Sequence, residues 1–117
     1  MSVHTRSQRL AQAAYARIAN GIPSKEFASF AKMFPALIHT CGLAQAVAFA
    51  KAKKRTDYID DLTQVLWAAG HIELTEQEPL DHHTRQQPVI GYLRLSCDAL
   101  DAASWLKRYV EAKTEEA

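Results

Sequence analysis

Residues 88–112 read PVIGYLRLSCDALDAASWLKRYVEA. Tyr92, Leu95, Ala99, Ala103, Leu106 and Val110 recur three and four apart, the spacing of one helical face. Leu93, Cys97 and Leu100 are expected to widen that stripe. Pro88 suits a helix start, because its missing N–H would have no intrahelical partner there. This segment predicts a long core-organising helix with Leu106 at its centre. The tail from Lys113 to Ala117 is expected to fray.

Working towards the N-terminus, every other segment also reads as helix or connector. Residues 70–87 are polar, carry Pro79 and His82-His83, and predict a connector with room for a short helical turn. Thr56 and Asp57 open a helix to about Ala69, with Tyr58, Leu62, Val65, Leu66 and Ala69 along one side. Asp57, Asp60 and Asp61 lie near its positive end, where acids are stabilising. Asp60 and Asp61 are not read as a catalytic pair, since neighbours on a helix point about 100° apart. Leu43, Ala46, Val47 and Ala50 have helical spacing after a break at Gly42. Ser24 is an N-cap candidate for a helix carrying Phe27, Phe30, Ala31 and Phe34. Pro35 is expected to kink or interrupt it. Thr5 to Asn20 predicts a first helix with Leu10, Ala14 and Ile18 on its apolar side and Asn20-Gly21 as its stop.

Composition agrees with this pattern. The chain has 117 residues with four Gly and four Pro, too few turn residues for a many-stranded sandwich or barrel. At 48% hydrophobic and 23% charged it has globular composition. The expectation is an all-α, small single-domain helical bundle over residues 1–117. The opening residues have no apolar signal-type run. The uncharged stretch from Met33 to Ala50 contains Pro35, His39, Thr40, Gly42 and Gln45, which reads as core and not as a membrane span. Cys41 and Cys97 have no metal-type spacing and are expected to be small buried thiols in a reducing cytoplasm.

The net charge of +1 hides a split. Residues 1–56 hold nine basic side chains against one acid, Glu26, for a balance of +8. Residues 57–117 hold five basic and twelve acidic side chains, for −7. Such asymmetry points to a polyanion partner or to self-association. Pairing of the two halves within one fold explains it equally well. Arg6, Arg9 and Arg17 fall near one another on the first helix, and Lys51, Lys53, Lys54 and Arg55 crowd the end of the third. Cations at a helix C-terminus are stabilised by its dipole, but this cluster is denser than a cap requires.

Catalytic signatures are missing. There is no GxxxxGK[ST], GxGxxG or GxSxG. His71-x-Glu73 lacks the PCxxC partner of a zinc deaminase. His4, His39, His71, His82 and His83 form no HExxH or i, i+4 pair, and read as surface or internally satisfied residues. No enzyme, metal or cofactor is expected.

Two segments carry a family likeness. In residues 34–49, FPALIHTCGLAQAVAF, the residues Pro35, Ile38, Gly42, Leu43 and Phe49 fit a P-x-x-I-x-x-x-G-L-x-x-x-x-x-F pattern. In residues 105–112, Trp105, Leu106, Lys107, Arg108 and Tyr109 fit a terminal W-L-K-R-aromatic run. Together they resemble the small subunit of the type III-B CRISPR RNA-silencing effector, the Cmr complex. The resemblance implies a non-catalytic subunit that stacks along a filament. Its implied partners are the backbone RAMP subunit, the large subunit, further copies of itself, guide RNA and target RNA. With the basic balance, it implies that Arg9, Arg17, Lys51, Lys53, Lys54 and Arg55 face RNA. A helical DNA-binding or adaptor module is the alternative that the residues alone leave open.

Overall fold

The computed structural model describes residues 5–75 and 79–116. Six helices follow one another: α1 (Arg6–Ile18), α2 (Lys25–Cys41), α3 (Leu43–Ala52), α4 (Thr56–Ala68), α5 (Leu80–Gln86) and α6 (Val89–Glu116). No strand occurs among the described residues. Their apolar faces share one core, so the fold is the all-α bundle that the periodicity predicts. No helix among the described residues is long and apolar enough to cross a membrane.

Local chemistry sets the helix ends. At α1 the Gln8 backbone N–H donates to Thr5 Oγ1 (3.0 Å), and the Thr5 N–H donates to Gln8 Oε1 (2.8 Å). This reciprocal pair satisfies two amides that helix geometry leaves free. Ser24 accepts from the Phe27 N–H at 3.2 Å and starts α2. Gly42 separates α2 from α3 at φ 86°, a region closed to most side chains. Its N–H closes α2 onto the Ile38 carbonyl (2.8 Å), and its carbonyl accepts from Ala46 (3.0 Å) to open α3. α3 has no side-chain cap of its own. The Tyr92 hydroxyl of α6 accepts from the Ala44 N–H at 3.0 Å instead, fixing the start of α6 to the α2–α3 corner.

α6 packs against α1, α2 and α4, while α3 touches α2, α4 and α5. Leu95, Ala99, Ala103, Leu106 and Val110 are buried as the stripe predicts, and Ala102 joins them. Four of the sequence expectations are corrected. Leu93 and Cys97 are exposed, because they lie on the side of α6 turned away from the core. Cys41 is exposed too, at the last turn of α2, so neither cysteine is a buried thiol. Pro35 does not end its helix. α2 runs through it, with Phe34 and Ile38 buried on either side. That burial outweighs one lost backbone bond. The tail does not fray at Lys113, since α6 continues to Glu116. Lys113 Nζ donates to the Ala19 carbonyl at the end of α1 (3.5 Å), and Thr114 Oγ1 donates back to Val110 (3.1 Å). His4 and Ala117 lie outside the described residues.

Tyr58 sits among Phe27, Phe30 and Phe34, with ring centroids 4.9–5.8 Å away. Its side chain is fully buried, and its hydroxyl has no hydrogen-bond partner among the described residues. Burial, aided by the Asp61 charge, pushes its pKa far above that of a free phenol. A buried hydroxyl without a partner carries a desolvation penalty of about 1–3 kcal/mol. Tyr58→Phe is therefore expected to stabilise the protein by about 1 kcal/mol, read as a raised thermal midpoint. A loss of that size would mean that the hydroxyl has an internal partner.

Candidate nucleic-acid interface

The six basic residues singled out by sequence fall into two situations. Arg17 bonds Asp61 of α4 at 2.8 Å. Lys51 bonds Asp81 of α5 at 2.9 Å, and Arg55 lies 3.8 Å from Asp57. Arg9, Lys53 and Lys54 are exposed and have no carboxylate partner among the described residues. Including Arg6, which bonds Asp98, four of the nine cations in residues 1–56 pair with acids from the second half. The opposed charges of the halves thus serve partly to join them. The row of arginines on α1 is divided by the same logic, with Arg6 and Arg17 turned towards neighbouring helices and Arg9 open to solvent.

These pairs leave marks on the acids. Partial burial pushes the Asp61 carboxyl above its ordinary range, against the hydrogen bond and charge of Arg17. The hydrogen bond from Lys51 holds the Asp81 carboxyl below its ordinary range despite some burial, with Arg85 assisting.

The fold brings Lys51, Lys53, Lys54 and Arg55 together at the α3–α4 corner. α3 ends with Lys53 as its last cap, and Lys54 takes the left-handed conformation at φ 58°. The Lys54 N–H donates to Lys51 (3.0 Å) and the Arg55 N–H to Ala50 (2.9 Å). This pattern is a Schellman cap, whose left-handed position normally holds glycine. A lysine there carries a conformational cost and places a cation on the corner. The Lys53 ammonium lies 5.6 Å from the centroid of Phe49, within cation–π range. Arg17 and Lys51 meet along a cleft beside α4 that Thr56, Asp60 and Asp81 also line. Arg9 shares no described contact with the corner.

Sequence reading missed a second polar cluster. His71, His83 and Asp98 are buried. His71 Nε2 lies 2.6 Å from Asp98 Oδ2, and Arg6 reaches both oxygens of the same carboxylate at 3.3 Å. Glu73 lies 3.6 Å from His71 Nδ1 and 3.3 Å from His83 Nε2. Gln87 Nε2 approaches His83 Nε2 at 2.8 Å. Burial alone would raise the Glu73 carboxyl, but a hydrogen bond from its own backbone and the two imidazoles hold it below the ordinary range. Gly91 leaves the space that Gln87 occupies. The cluster clasps α1, α6 and the segment after α4. Among the described residues, no group of three or more His, Cys, Asp and Glu is arranged to hold a metal ion. The available signal was Asp98 itself, an acid bordering the apolar stripe of α6 and so in need of a partner.

Fold and charge together define a small all-helical protein, closed by internal ion pairs and carrying, at one helix corner, cations with no carboxylate partner among the described residues. A family model described as CRISPR-associated protein (Cas_Cmr5) matches residues 6–113. The chain belongs to this Cmr5 family. It is 36% identical to the CRISPR system Cmr subunit Cmr5 of Thermus thermophilus, over 97% of this chain and all of that protein. It is also similar to the crystal structure of a CRISPR-associated Cmr5 family protein from Thermus thermophilus. That match has a TM-score of 0.80 and 31% identity, and it covers 94% of this chain and 98% of the other. The likeness first read in two segments therefore extends over nearly the whole chain.

Proposed function

We propose that this chain is a non-catalytic small subunit of a Cmr-type CRISPR effector, and that its α3–α4 corner helps hold guide or target RNA. The observation that carries the RNA contact is the corner itself. Lys53 and Lys54 stand there without carboxylate partners among the described residues, and Lys54 occupies a position where glycine would be less strained. Lysines bind phosphate as point charges and read no bases, so the contact is insensitive to sequence. Arg55, only loosely paired with Asp57 at 3.8 Å, can fork onto a phosphate. Arg17 and Lys51 contribute less, because each must first leave an internal acid. Arg9 supplies a separate exposed cation. The partners on this reading are the backbone and large subunits, further copies of the chain, and the RNA. The match to a Cmr subunit supports the assembly role, and binding by stacked copies adds through effective concentration.

The test reverses the charges of Lys53, Lys54 and Arg55 in the assembled complex. Target-RNA affinity is then measured at two or more salt concentrations. Affinity is expected to fall, with the slope of log K against log salt reduced by about 0.7 for each phosphate no longer neutralised. Unchanged affinity and slope with loss of assembly would make the corner a protein-docking surface. No change in either would make it a solvated helix end.

A further inference from the structure

The α3–α4 corner carries an aromatic ring among its cations. Phe49 is one turn before Lys53 and is 37% exposed, unusual for a phenylalanine in a helix whose other large apolar side chains, Leu43 and Val47, are fully buried. The ring is not loose. It lies nearly parallel to buried Phe30, with 7° between the planes and 6.3 Å between centroids. Phe30 is fixed in turn against Phe34 and Tyr58. A part-exposed ring is thus held in one orientation by the aromatic core behind it. The Lys53 ammonium lies over the ring, 5.6 Å from its centroid, so a base that stacks there displaces it onto a phosphate. It has no competing carboxylate among the described residues, and neither does Lys54.

We propose that Phe49 is a stacking face for an unpaired base of single-stranded RNA, with the adjoining phosphates on Lys53 and Lys54. This inference rests on the RNA reading above and adds to it a contact of different chemistry. A fixed aromatic ring beside cations with no carboxylate partner among the described residues has the two parts that sequence-tolerant single-strand binding uses. The ring takes the π-face of any base, and the ammonium groups take the backbone. Because Phe49 is anchored before RNA arrives, the ring itself needs little ordering, and the rearrangement is confined to the Lys53 side chain moving from the ring to a phosphate. A duplex hides its base faces, so the ring discriminates between paired and unpaired RNA where the lysines cannot.

The experiment titrates the full chain, at low salt, with a fluorescein-labelled oligouridine of roughly a dozen nucleotides and with an RNA duplex of equal length. Phe49→Leu is expected to weaken oligouridine binding about tenfold and leave duplex binding unchanged. The salt slope should also stay the same, because the lysines still neutralise the same phosphates. Phe49→Tyr should bind as the unaltered chain does. Photocrosslinking of 5-iodouridine RNA to the unaltered chain keeps the test independent of folding in the variants, and adducts are expected at Phe49 or its neighbours up to Lys54. Equal oligouridine binding by a folded Phe49→Leu chain, or adducts only elsewhere, would overturn stacking while leaving the phosphate contact standing. Failure of the unaltered chain to bind either RNA would overturn the stacking face, while the charge reversal in the assembled complex decides the RNA reading separately.

Discussion

Replacing Asp98 with alanine is expected to lower the unfolding free energy by about 3 kcal/mol. The carboxylate is buried and holds two groups, His71 at 2.6 Å and Arg6 at 3.3 Å. Removing the carboxylate leaves His71 Nε2 buried without its partner, and an unsatisfied buried polar group costs about 1–3 kcal/mol. The high end applies here because the tie to Arg6 is lost as well, although Arg6 is half exposed and can return to water. His71 cannot, and its segment after α4 would lose its tie to α6. Asp98→Asn should fall between alanine and the unaltered chain, since the amide keeps the volume and one acceptor oxygen. Urea denaturation checks both variants. A change below about 0.5 kcal/mol for alanine would show that the cluster is hydrated and adds nothing to stability.

Leu106→Ala should cost about 2–5 kcal/mol. Leu106 is fully buried on α6, the helix that touches α1, α2 and α4. Truncation removes buried apolar surface and opens a cavity between helices that also meet elsewhere along α6, so the walls can relax only partly. The denaturation midpoint is expected to fall with little change in slope, because the surface exposed on unfolding is nearly the same. A loss under about 0.5 kcal/mol would mean that this face lies outside the core.

Most of the fold was legible because helical periodicity is local. Leu10, Ala14 and Ile18 mark α1, and Leu43, Ala46, Val47 and Ala50 mark α3; each set is buried as its spacing predicts. Gly42 was readable as a break because only the left-handed region at that corner demands glycine. The interruption expected at Pro35 does not occur, because local rules weigh the missing N–H but not the two buried side chains that hold the helix together around it. The face of Leu93 and Cys97 was misread because an apolar stripe has edges that sequence alone does not fix. The candidate interface was half legible. The density of Lys51, Lys53, Lys54 and Arg55 is a sequence property. The partners that engage Arg17 and Lys51 lie 44 and 30 positions away, and no spacing rule reaches across such a gap. The same applies to His71 and Asp98, 27 positions apart.

The position of α6 in the chain has a consequence for synthesis. It covers α1, α2 and α4, yet the ribosome makes it after all of them. Phe27, Phe30 and Phe34 can begin to gather around Tyr58 once α4 has emerged, but α1, which packs on both α4 and α6, is then covered on one side only. Domains of this size close as units, so the nascent chain must display unshielded apolar surface until Leu106 and Val110 clear the exit tunnel. Slow translation through residues 89–110 would lengthen that interval and raise the demand for chaperones, without altering any contact in the finished protein.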